Sequence, residues 1–489
     1  MKAKNLFLAL LLMAILPLTA SAKNAGVVSF DDVSEKAKVA FKGNGKGVAV
    51  ADYNNDGFDD ILISNKGGGL RLFKNNGNGT FTDVTKEVGL DDVGYCLGAV
   101  FGDIDNDGWV DLYVPKGGVY EIETNRLFKN VNGKFVDITE KAGVAGIVDG
   151  KPAFTYGAAM ADYDKDGFLD IYLANYGVGA KNILYRNNGD GTFTDVTDKA
   201  GVGDKSWSWS ATWADVNGDG WPDLYVVNGR YPAGEPNKLY INKGDGTFVE
   251  MAEKLGVADD GWGLGATFGD VNNDGALDLY VSNYIGDNNL YINDGKGNFK
   301  KANYLIKGAP KDHWGKGPTF GDVNNDGWID LYEGDCKLAN QLYINKGGKF
   351  ENMINSVPAA KCETVRTKGT VLADFNNDGQ LDLYIVNWGA ANKLLLNKGK
   401  NPNWLRVKLV GTKSNRDAIG AKIYAYDKGG KLVGFREVVT ASGFCTQPSK
   451  IQHFGFAKGG NYNIKVVFPS GKEVVKKDVK LSQLIVIEE

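Results

Sequence analysis

Acidic side chains recur in this sequence at a fixed spacing around a glycine. The first example, "DYNNDGFDD" at residues 52–60, has aspartate at positions one, five and nine, asparagine at three and glycine at six. With the backbone carbonyl of position seven, these side chains supply oxygen ligands around one point. Oxygen ligands in an adaptable geometry suit Ca²⁺, and the glycine allows the tight turn. The spacing therefore predicts a calcium-binding loop.

The same pattern occurs seven times, and we number the copies loops 1 to 7 along the chain. Successive loops begin 51 to 59 residues apart. The predicted ligands at positions one, three, five, seven and nine are Asp52, Asn54, Asp56, Phe58 and Asp60 in loop 1; Asp103, Asp105, Asp107, Trp109 and Asp111 in loop 2; Asp162, Asp164, Asp166, Phe168 and Asp170 in loop 3; Asp215, Asn217, Asp219, Trp221 and Asp223 in loop 4; Asp270, Asn272, Asp274, Ala276 and Asp278 in loop 5; Asp322, Asn324, Asp326, Trp328 and Asp330 in loop 6; and Asp374, Asn376, Asp378, Gln380 and Asp382 in loop 7.

Alternative interpretations of these loops fit less well. An EF-hand needs glutamate at position twelve, where this chain has mostly apolar strand residues. Mg²⁺ prefers to keep several of its waters, so an all-protein oxygen cage suits it poorly. A polar hairpin without metal would leave 23 side-chain carboxylates packed in threes and fours with nothing to offset their repulsion. We therefore expect up to seven structural Ca²⁺ ions.

The elements that position the loops follow the same period. In the second unit, four short apolar runs at 98–103, 111–116, 125–130 and 134–139 are bounded by Gly, Asn or Asp, which is typical of strands joined by tight turns. Four strands in each of seven units predict an all-β fold, a seven-bladed β-propeller, with a linear solenoid as the alternative. The seventh unit lacks a fourth strand, and residues 27–40 resemble the fourth-strand segments. We expect them to complete the last blade and close the ring.

Composition divides the chain into three parts. Residues 1–22 have a basic start, a short apolar run and a small-residue cleavage site, which predicts a signal peptide and an exported protein, periplasmic, extracellular or at the cell surface. No other run is long and apolar enough to span a bilayer. Residues 23–400, the predicted propeller, carry a net charge of −14, which seven Ca²⁺ ions would neutralise. Residues 401–489 form a predicted small β-domain with a net charge of +8.

Several motifs together resemble a known family. "FGD" before the loops, as at 101–103 and 268–270, resembles the FG-GAP/VCBS repeats of integrin α-subunit propellers. The tail resembles the ASPIC/UnbV domain at "WLRVKLVGTKSNRDAIGAKI" (404–423), "REVVTASGFCTQ" (436–447), "HFGF" (453–456) and "VVFPSG" (466–471). This pairing is similar to the cartilage acidic protein family. The resemblance implies extracellular binding or cell adhesion. Cys445 departs from the family pattern, which usually has an aliphatic residue there.

A ligand is expected on the face opposite the metal loops. Counting back from each loop, the fifth residue is glycine in six units and Ser210 in the other, as expected where seven inner strands converge. Aromatic and cationic residues at the sixth and eighth places back predict a binding mouth on that face. Its candidate residues are Tyr95, Phe154, Tyr156, Trp207, Trp209, Trp262, Trp314, His313 and Arg366. In the alternative interpretation, the aromatics pack between blades and nearby asparagines cap loops.

Two functions remain open from the sequence. The first is a non-catalytic binding or adhesion protein for an extracellular glycan or protein. The second is a polysaccharide-active, lyase-like enzyme, for which Lys316, Lys368, Arg366 and His313 form the one cluster with suitable groups. Nucleic acid is not expected, because the basic tail lacks a recognition motif. The sequence leaves open the oligomeric state and whether Cys336–Cys362 or Cys96–Cys445 form disulfides.

Overall fold

The computed structural model describes residues 28–91, 93–117, 123–177, 180–230, 234–363 and 365–489. Within these ranges the chain is predominantly β-structure, as the glycine-bounded apolar runs predict. The predicted signal peptide, residues 1–22, lies outside the described residues. In the described part of the chain, no helix is long and apolar enough to cross a membrane.

Seven antiparallel units of four strands follow one another in the described residues, and we call them blades 1 to 7. The first strand, β1 (Phe30–Asp32), belongs to blade 7. Blades 1 to 4 contain β2 (Lys42–Ala51), β3 (Asp60–Asn65), β4 (Gly69–Asn75) and β5 (Phe81–Asp83); β6 (Val100–Gly102), β7 (Asp111–Val114), β8 (Arg126–Val131) and β9 (Lys134–Asp137), followed by a hairpin of β10 (Ile147–Val148) and β11 (Lys151–Pro152); β12 (Thr155–Ala161), β13 (Asp170–Asn175), β14 (Ile183–Asn187) and β15 (Phe193–Asp195); and β16 (Ser208–Ala214), β17 (Asp223–Asn228), β18 (Lys238–Asn242) and β19 (Phe248–Glu250).

The remaining blades repeat this plan. They contain β20 (Trp262–Gly269), β21 (Asp278–Ile285), β22 (Asn289–Asn293) and β23 (Phe299–Lys301) in blade 5; β25 (Gly315–Gly321), β26 (Asp330–Asp335), β27 (Gln341–Asn345) and β28 (Phe350–Asn352), with the short β24 (Ile306–Lys307) beside β28, in blade 6; and β29 (Arg366–Ala373), β30 (Asp382–Ala391), β31 (Lys393–Asn397) and β1 in blade 7.

Short helical turns follow the outer strands of several blades. Three are α-helical, at Thr139–Ala142, Thr197–Ala200 and Ala252–Leu255, and each ends at a glycine with a left-handed φ of 76° to 83°. Glycine is favoured there because it adopts this conformation without a steric penalty. Asn303–Leu305, Ile354–Ser356 and Pro358–Ala360 are 3₁₀ turns. These turns lead the chain from the outer edge of one blade to the inner strand of the next.

The two ends of the repeat region meet in blade 7. β1 pairs antiparallel with β31, with Phe30 opposite Asn397, so the prediction that residues 27–40 complete the last blade is confirmed. β2 also pairs with β30, joining blades 7 and 1. The inner strands β2, β6, β12, β16, β20, β25 and β29 contact one another in that cyclic order. The arrangement is consistent with a closed seven-bladed β-propeller, and it removes two open sheet edges.

The residues after the repeats form further sheets. One sheet has the order β36 (Gln452–Gly455), β32 (Trp404–Val410), β39 (Gln483–Glu488); the other has the order β34 (Leu432–Glu437), β33 (Lys422–Tyr426), β37 (Asn461–Val467), β38 (Glu473–Lys480). We call these sheets and their connections the last domain, and its predicted start at residue 401 stays a prediction. Its apolar core continues into blades 2 and 3, because Leu405, Ile423 and Phe454 share one cluster with Val100 and Met160.

One asparagine at the end of each third strand joins neighbouring blades. Its side-chain amide donates to the carbonyl of position two in the preceding loop, at 2.7 to 2.9 Å, and to the carbonyl of position eight in its own loop, at 3.0 to 3.1 Å. All seven asparagines are buried, so the bonds are shielded from water. The inter-blade pairs are Asn75 with Phe375, Asn130 with Tyr53, Asn187 with Ile104, Asn242 with Tyr163, Asn293 with Val216, Asn345 with Val271 and Asn397 with Val323.

The first prediction concerns this bridge. Asn187→Ala leaves the buried carbonyls of Ile104 and Leu169 without this donor, and we expect the free energy of unfolding to fall by about 2 to 4 kcal/mol. The matched control is Asn188→Ala, because Asn188 is exposed and bonds only within its own hairpin. Chemical unfolding of both variants measures the difference. Equal stability of the two would contradict a role for the bridge.

Candidate functional site

Each loop is shaped by hydrogen bonds from its own backbone. In loop 2, the carboxylate of Asp103 accepts N–H groups from Asp107 at 3.1 Å and Gly108 at 2.7 Å. The carboxylate of Asp111 accepts N–H groups from Ile104 at 3.0 Å and from Asn130, on the third strand, at 2.8 Å. Positions one and nine therefore hold the loop closed and fix it to the blade.

Loops 2 and 3 gather carboxylates most closely. Carboxylate oxygens of Asp103, Asp105 and Asp111 lie within 4.8 Å of one another, as do those of Asp162, Asp164 and Asp166. Three carboxylate oxygens of these residues are buried and accept no hydrogen bond in the described structure, namely Oδ1 of Asp105, Asp162 and Asp164. Buried oxygens without donors are what a bound cation would satisfy. The residues of loops 2 and 3 therefore fit a metal ion.

Burial sets the electrostatics of these carboxylates. It raises the pKa of Asp103 to about 7, with the neighbouring Asp417 adding to the effect. Burial, then the charges of Asp166 and Asp164, raises the pKa of Asp162 to about 7. Basic side chains offset part of the charge, because Lys129 pairs with Asp105 in loop 2 and Arg186 pairs with Asp164 at 2.5 Å in loop 3. A divalent cation would offset more of it.

The other five loops have asparagine at position three. That side chain donates to the carboxylate at position five, as in Asn54 to Asp56 at 3.0 Å, and the bond fixes both side chains within the loop. The same bond recurs in loops 4, 5, 6 and 7. Metal binding by these five loops stays a prediction.

The last domain covers the face that carries the loops. Lys422 pairs with Asp215 of loop 4, and Arg406 pairs with Asp374 of loop 7 at 3.0 Å. His453 contacts the Gly379 carbonyl through Nε2 at 3.1 Å. The net charge of the repeats predicted that calcium alone neutralises the propeller. The basic side chains of the last domain supply part of this neutralisation, and their excess of positive charge was the signal for this contact.

A segment of the last domain enters the central channel from the loop face. Thr440 bonds Met160, Gly443 N–H donates to the Ala266 carbonyl at 2.7 Å, and the Cys445 carbonyl accepts Val48 N–H at 3.2 Å. The returning strand β35 (Thr446–Gln447) pairs parallel with β2. Phe444 lies at the tip of this segment, which we call the plug, residues 440–447. The plug was not predicted from the sequence, although its small and apolar residues between two strands were a signal.

The plug gives a further reason for the ring of small residues in the channel. A Cβ placed on Gly47 would lie 2.1 Å from the Cys445 carbonyl oxygen, and one on Gly265 would lie 2.7 Å from the Gly443 backbone. Any side chain at these positions would collide with the plug. The predicted convergence of small residues is confirmed, and the backbone of the last domain fills the space they leave.

The mouth opposite the loops has two tiers. The inner tier, six places before each loop, is buried except for the partly exposed Lys46, and its apolar members pack around Phe444. It consists of Lys46, Leu97, Tyr156, Trp209, Leu264, Lys316 and Lys368. The outer tier, eight places before each loop, is more exposed and consists of Asn44, Tyr95, Phe154, Trp207, Trp262, Trp314 and Arg366. The structure therefore brings together all of the nine candidate ligand residues except His313.

Tyrosines at or just after the ends of two second strands fill gaps in the outer tier. The centroid of Tyr176 lies 5.5 Å from that of Phe154 and 4.5 Å from that of Trp207. Tyr284 lies 5.1 Å from Trp262 and 4.7 Å from Trp314. The aromatics pack on each other, as the alternative interpretation expects, and they also form a half-exposed wall.

The remaining candidate, His313, is placed differently. It is buried, with Nδ1 2.8 Å from the Pro310 carbonyl oxygen. The asparagines after the second strands are buried and hold the following turns, as Asn175 does by donating to the Lys181 carbonyl at 2.7 Å. They support the mouth and do not line it, which agrees with the alternative interpretation for these residues.

The cysteines form no disulfide in the described structure. All four are buried free thiols, which answers the question left open for Cys336–Cys362 and Cys96–Cys445. Cys336 Sγ lies 3.2 Å from Lys368 Nζ, and Cys445 Sγ lies 3.5 Å from the Tyr156 carbonyl oxygen. Burial raises the pKa of Cys445 to about 12, so its thiol stays protonated.

Comparison with known proteins agrees with this architecture. The family model described as FG-GAP-like repeat matches residues 52–114, 162–226, 216–281 and 270–333. The matched segments contain loops 1 to 6 and do not include loop 7. The model described as ASPIC and UnbV matches residues 411–489. The chain is an FG-GAP repeat protein with a C-terminal ASPIC/UnbV domain.

Curated relatives match this FG-GAP protein over most of the chain or over part of it. It is 27% identical to cartilage acidic protein 1 of Homo sapiens, over 88% of this chain and 69% of the human protein. It is 30% identical to integrin alpha-7 of Mus musculus over 27% of this chain and 12% of the integrin. Among solved structures, "YCF48 bound to D1 peptide" is similar with a TM-score of 0.47 and 8% identity, over 76% of this chain and 97% of that one.

The second prediction concerns the plug. Phe444→Ala removes a fully buried ring between the last domain and the inner tier, and we expect the free energy of unfolding to fall by about 3 to 5 kcal/mol. Tyr304→Ala is the control, because Tyr304 is 75% exposed. Thermal and chemical unfolding of both variants provide the measurement. A Phe444→Ala protein as stable as the control would show that the plug adds nothing to the fold.

Proposed function

We propose that this protein is an exported, calcium-binding β-propeller that binds a glycan or protein ligand outside the cytoplasm without catalysing a reaction. The observation that carries the proposal is the contrast between the two faces of the ring. The loop face is covered by the last domain, whereas the opposite mouth presents a half-exposed aromatic wall. The relation to cartilage acidic protein 1 and integrin alpha-7 supports an extracellular role.

The mouth has the form of a cup. Phe444 closes the channel from below, and its ring centroid lies 6.3 Å from that of Tyr156 and 6.4 Å from that of Trp209. A concave surface with an apolar floor and aromatic walls suits the apolar face of a sugar or the side chains of a peptide. Arg366 and Arg230 are exposed, and Arg230 lies 4.8 Å from the Trp207 ring. They add polar contacts near the rim.

The metal part of the proposal rests first on loops 2 and 3. Their carboxylates, together with the position-seven carbonyls of Trp109 and Phe168, offer the oxygen ligands that Ca²⁺ takes. A bound cation would bring the positive charge that these buried carboxylates need. We extend the proposal to all seven loops because they share one pattern. The metal would then stabilise the ring and take no part in ligand binding at the opposite mouth.

The histidine offered for the lyase-like alternative is not placed to act as a base. His313 is buried, with Nδ1 2.8 Å from the Pro310 carbonyl oxygen. A base that removes a proton from a polysaccharide must reach that proton within hydrogen-bond distance. The burial of His313 therefore favours binding over turnover. Release of unsaturated products from a polysaccharide panel would overturn this choice.

The third prediction tests the metal. Adding Ca²⁺ to chelator-treated protein should raise the thermal unfolding midpoint, because an ion that binds only the folded state stabilises it. Mg²⁺ should have a smaller effect. In the double variant Asp162→Asn and Asp164→Asn, loop 3 loses two ligands and the rise should shrink. Asp190→Asn, in an exposed hairpin, is the control. If neither calcium nor chelator changes the unfolding midpoint, structural calcium is excluded.

The fourth prediction tests the mouth. Trp207→Ala and Trp314→Ala should each weaken binding of captured glycans or proteins about tenfold or more, since truncating a tryptophan that anchors a ligand costs on the order of 2 kcal/mol. Tyr304→Ala should leave binding unchanged, because Tyr304 is exposed and belongs to the outer edge of blade 5. A glycan array probed with the calcium-loaded protein provides the measurement. Unchanged binding in both tryptophan variants would place the ligand elsewhere.

A further inference from the structure

Three lysines from adjacent blades converge in the inner tier of the mouth. Lys46, Lys316 and Lys368 stand at equivalent positions of blades 1, 6 and 7. Lys46 Nζ lies 4.9 Å from the Trp388 ring centroid and Lys368 Nζ lies 5.6 Å from it. Lys316 Nζ lies 5.0 Å from the Phe444 centroid. The three ammonium groups therefore surround the floor of the cup on one side.

These lysines have no carboxylate partner in the described structure. The ion pairs of the described residues involve none of the three, and the polar contact of Lys368 is to the Cys336 thiol at 3.2 Å. Lys316 is 6% exposed and Lys368 is 9% exposed. A buried charge without a counterion is costly, and three of one sign also repel each other.

In the free protein, the positive charge of each ammonium group makes protonation of the others less favourable. Burial, then the charge of Lys368, lowers the pKa of Lys46 to about 8. Burial, then Lys368, also lowers the pKa of Lys316. Neighbouring aromatic faces at Trp388 and Tyr284 offset part of the cost through cation–π contacts. An anion placed among the three groups would offset the rest and would gain charge-assisted hydrogen bonds.

We propose that the cup recognises an acidic saccharide, with a sulfate or carboxylate group of the sugar held by Lys46, Lys316 and Lys368. The inference rests on the proposed binding function of the mouth and names the chemistry of its ligand. Lys46 is partly exposed, so the lysine group can be reached from the mouth. A compact oxyanion suits three converging donors, because each of its oxygens accepts from a different ammonium group.

The surrounding aromatics favour a saccharide over an acidic peptide. Trp388 is half-buried beside two of the three lysines, and Tyr284 and Trp314 continue the wall with centroids 4.7 Å apart. A pyranose ring offers an apolar face for such rings while its charged substituent points to the lysines. The cup therefore matches both the apolar ring face and the charged substituent of a sulfated sugar or a uronate.

The experiment uses the mature, calcium-loaded chain and dextran sulfate oligosaccharides, with uncharged dextran of the same length as the matched ligand. Calorimetry should show binding of dextran sulfate and weaker binding of dextran. Lys316→Met and Lys368→Met keep most of the side-chain volume and remove the charge, so each should weaken dextran sulfate binding about tenfold or more. Lys476→Met, on the exposed strand β38 of the last domain, should bind as the wild type does.

Stability provides a second measurement on the same variants. Lys316→Met should raise or preserve the thermal unfolding midpoint, because it removes an unpaired buried charge. A folded Lys316→Met protein that binds dextran sulfate normally would overturn the proposal, and so would a stronger response to polyglutamate than to dextran sulfate. If Trp207→Ala and Trp314→Ala weaken ligand binding while the lysine variants do not, the binding function stands and the acidic-saccharide assignment fails.

Discussion

The fold depends on one repeated hydrogen bond, from the asparagine that ends each third strand to the second residue of the preceding loop. This residue lies between the first two predicted metal ligands of that loop, so the bond ties the blade interface to the backbone of the predicted metal site. In blade 1 the same bond reaches Phe375, 300 residues away, and closes the circle. The conformation of a loop and the spacing of two blades are therefore linked, and an ion held in one loop would act on both blades.

The last domain makes the two faces of the ring unequal. Its basic side chains reach loops 4 and 7, and its plug passes along the axis until Phe444 lies beneath the aromatic tiers. One domain therefore neutralises carboxylates at one end and forms the floor of the cup at the other. Because the plug is held by backbone bonds to inner strands of blades 1 and 5, the floor is fixed relative to the wall.

The repeat allowed much of this structure to be predicted. Period and strand pattern predicted the all-β blades and the closing strand β1, and the count from each loop predicted both tiers of the mouth. The bridging asparagines were missed, although each unit has one before its third turn, because an asparagine near a turn usually caps it locally. The sequence carried a signal for the plug segment but not for its place in the channel, because contacts such as Gln447 to Phe101 join residues 346 apart and depend on how two domains dock.

The pairing of β1 with β31 also dictates an order of assembly. Ser34 accepts a hydrogen bond from the backbone of Leu394, 360 residues later, so β1 has no partner until the seventh blade exists. Long-range pairs of this kind form late because loop closure must come first. The plug enters a channel that exists only once the ring has closed. A chain interrupted before blade 7 would thus expose both an unpaired edge and an unfilled axis, which are the features that protein quality control recognises in incomplete products.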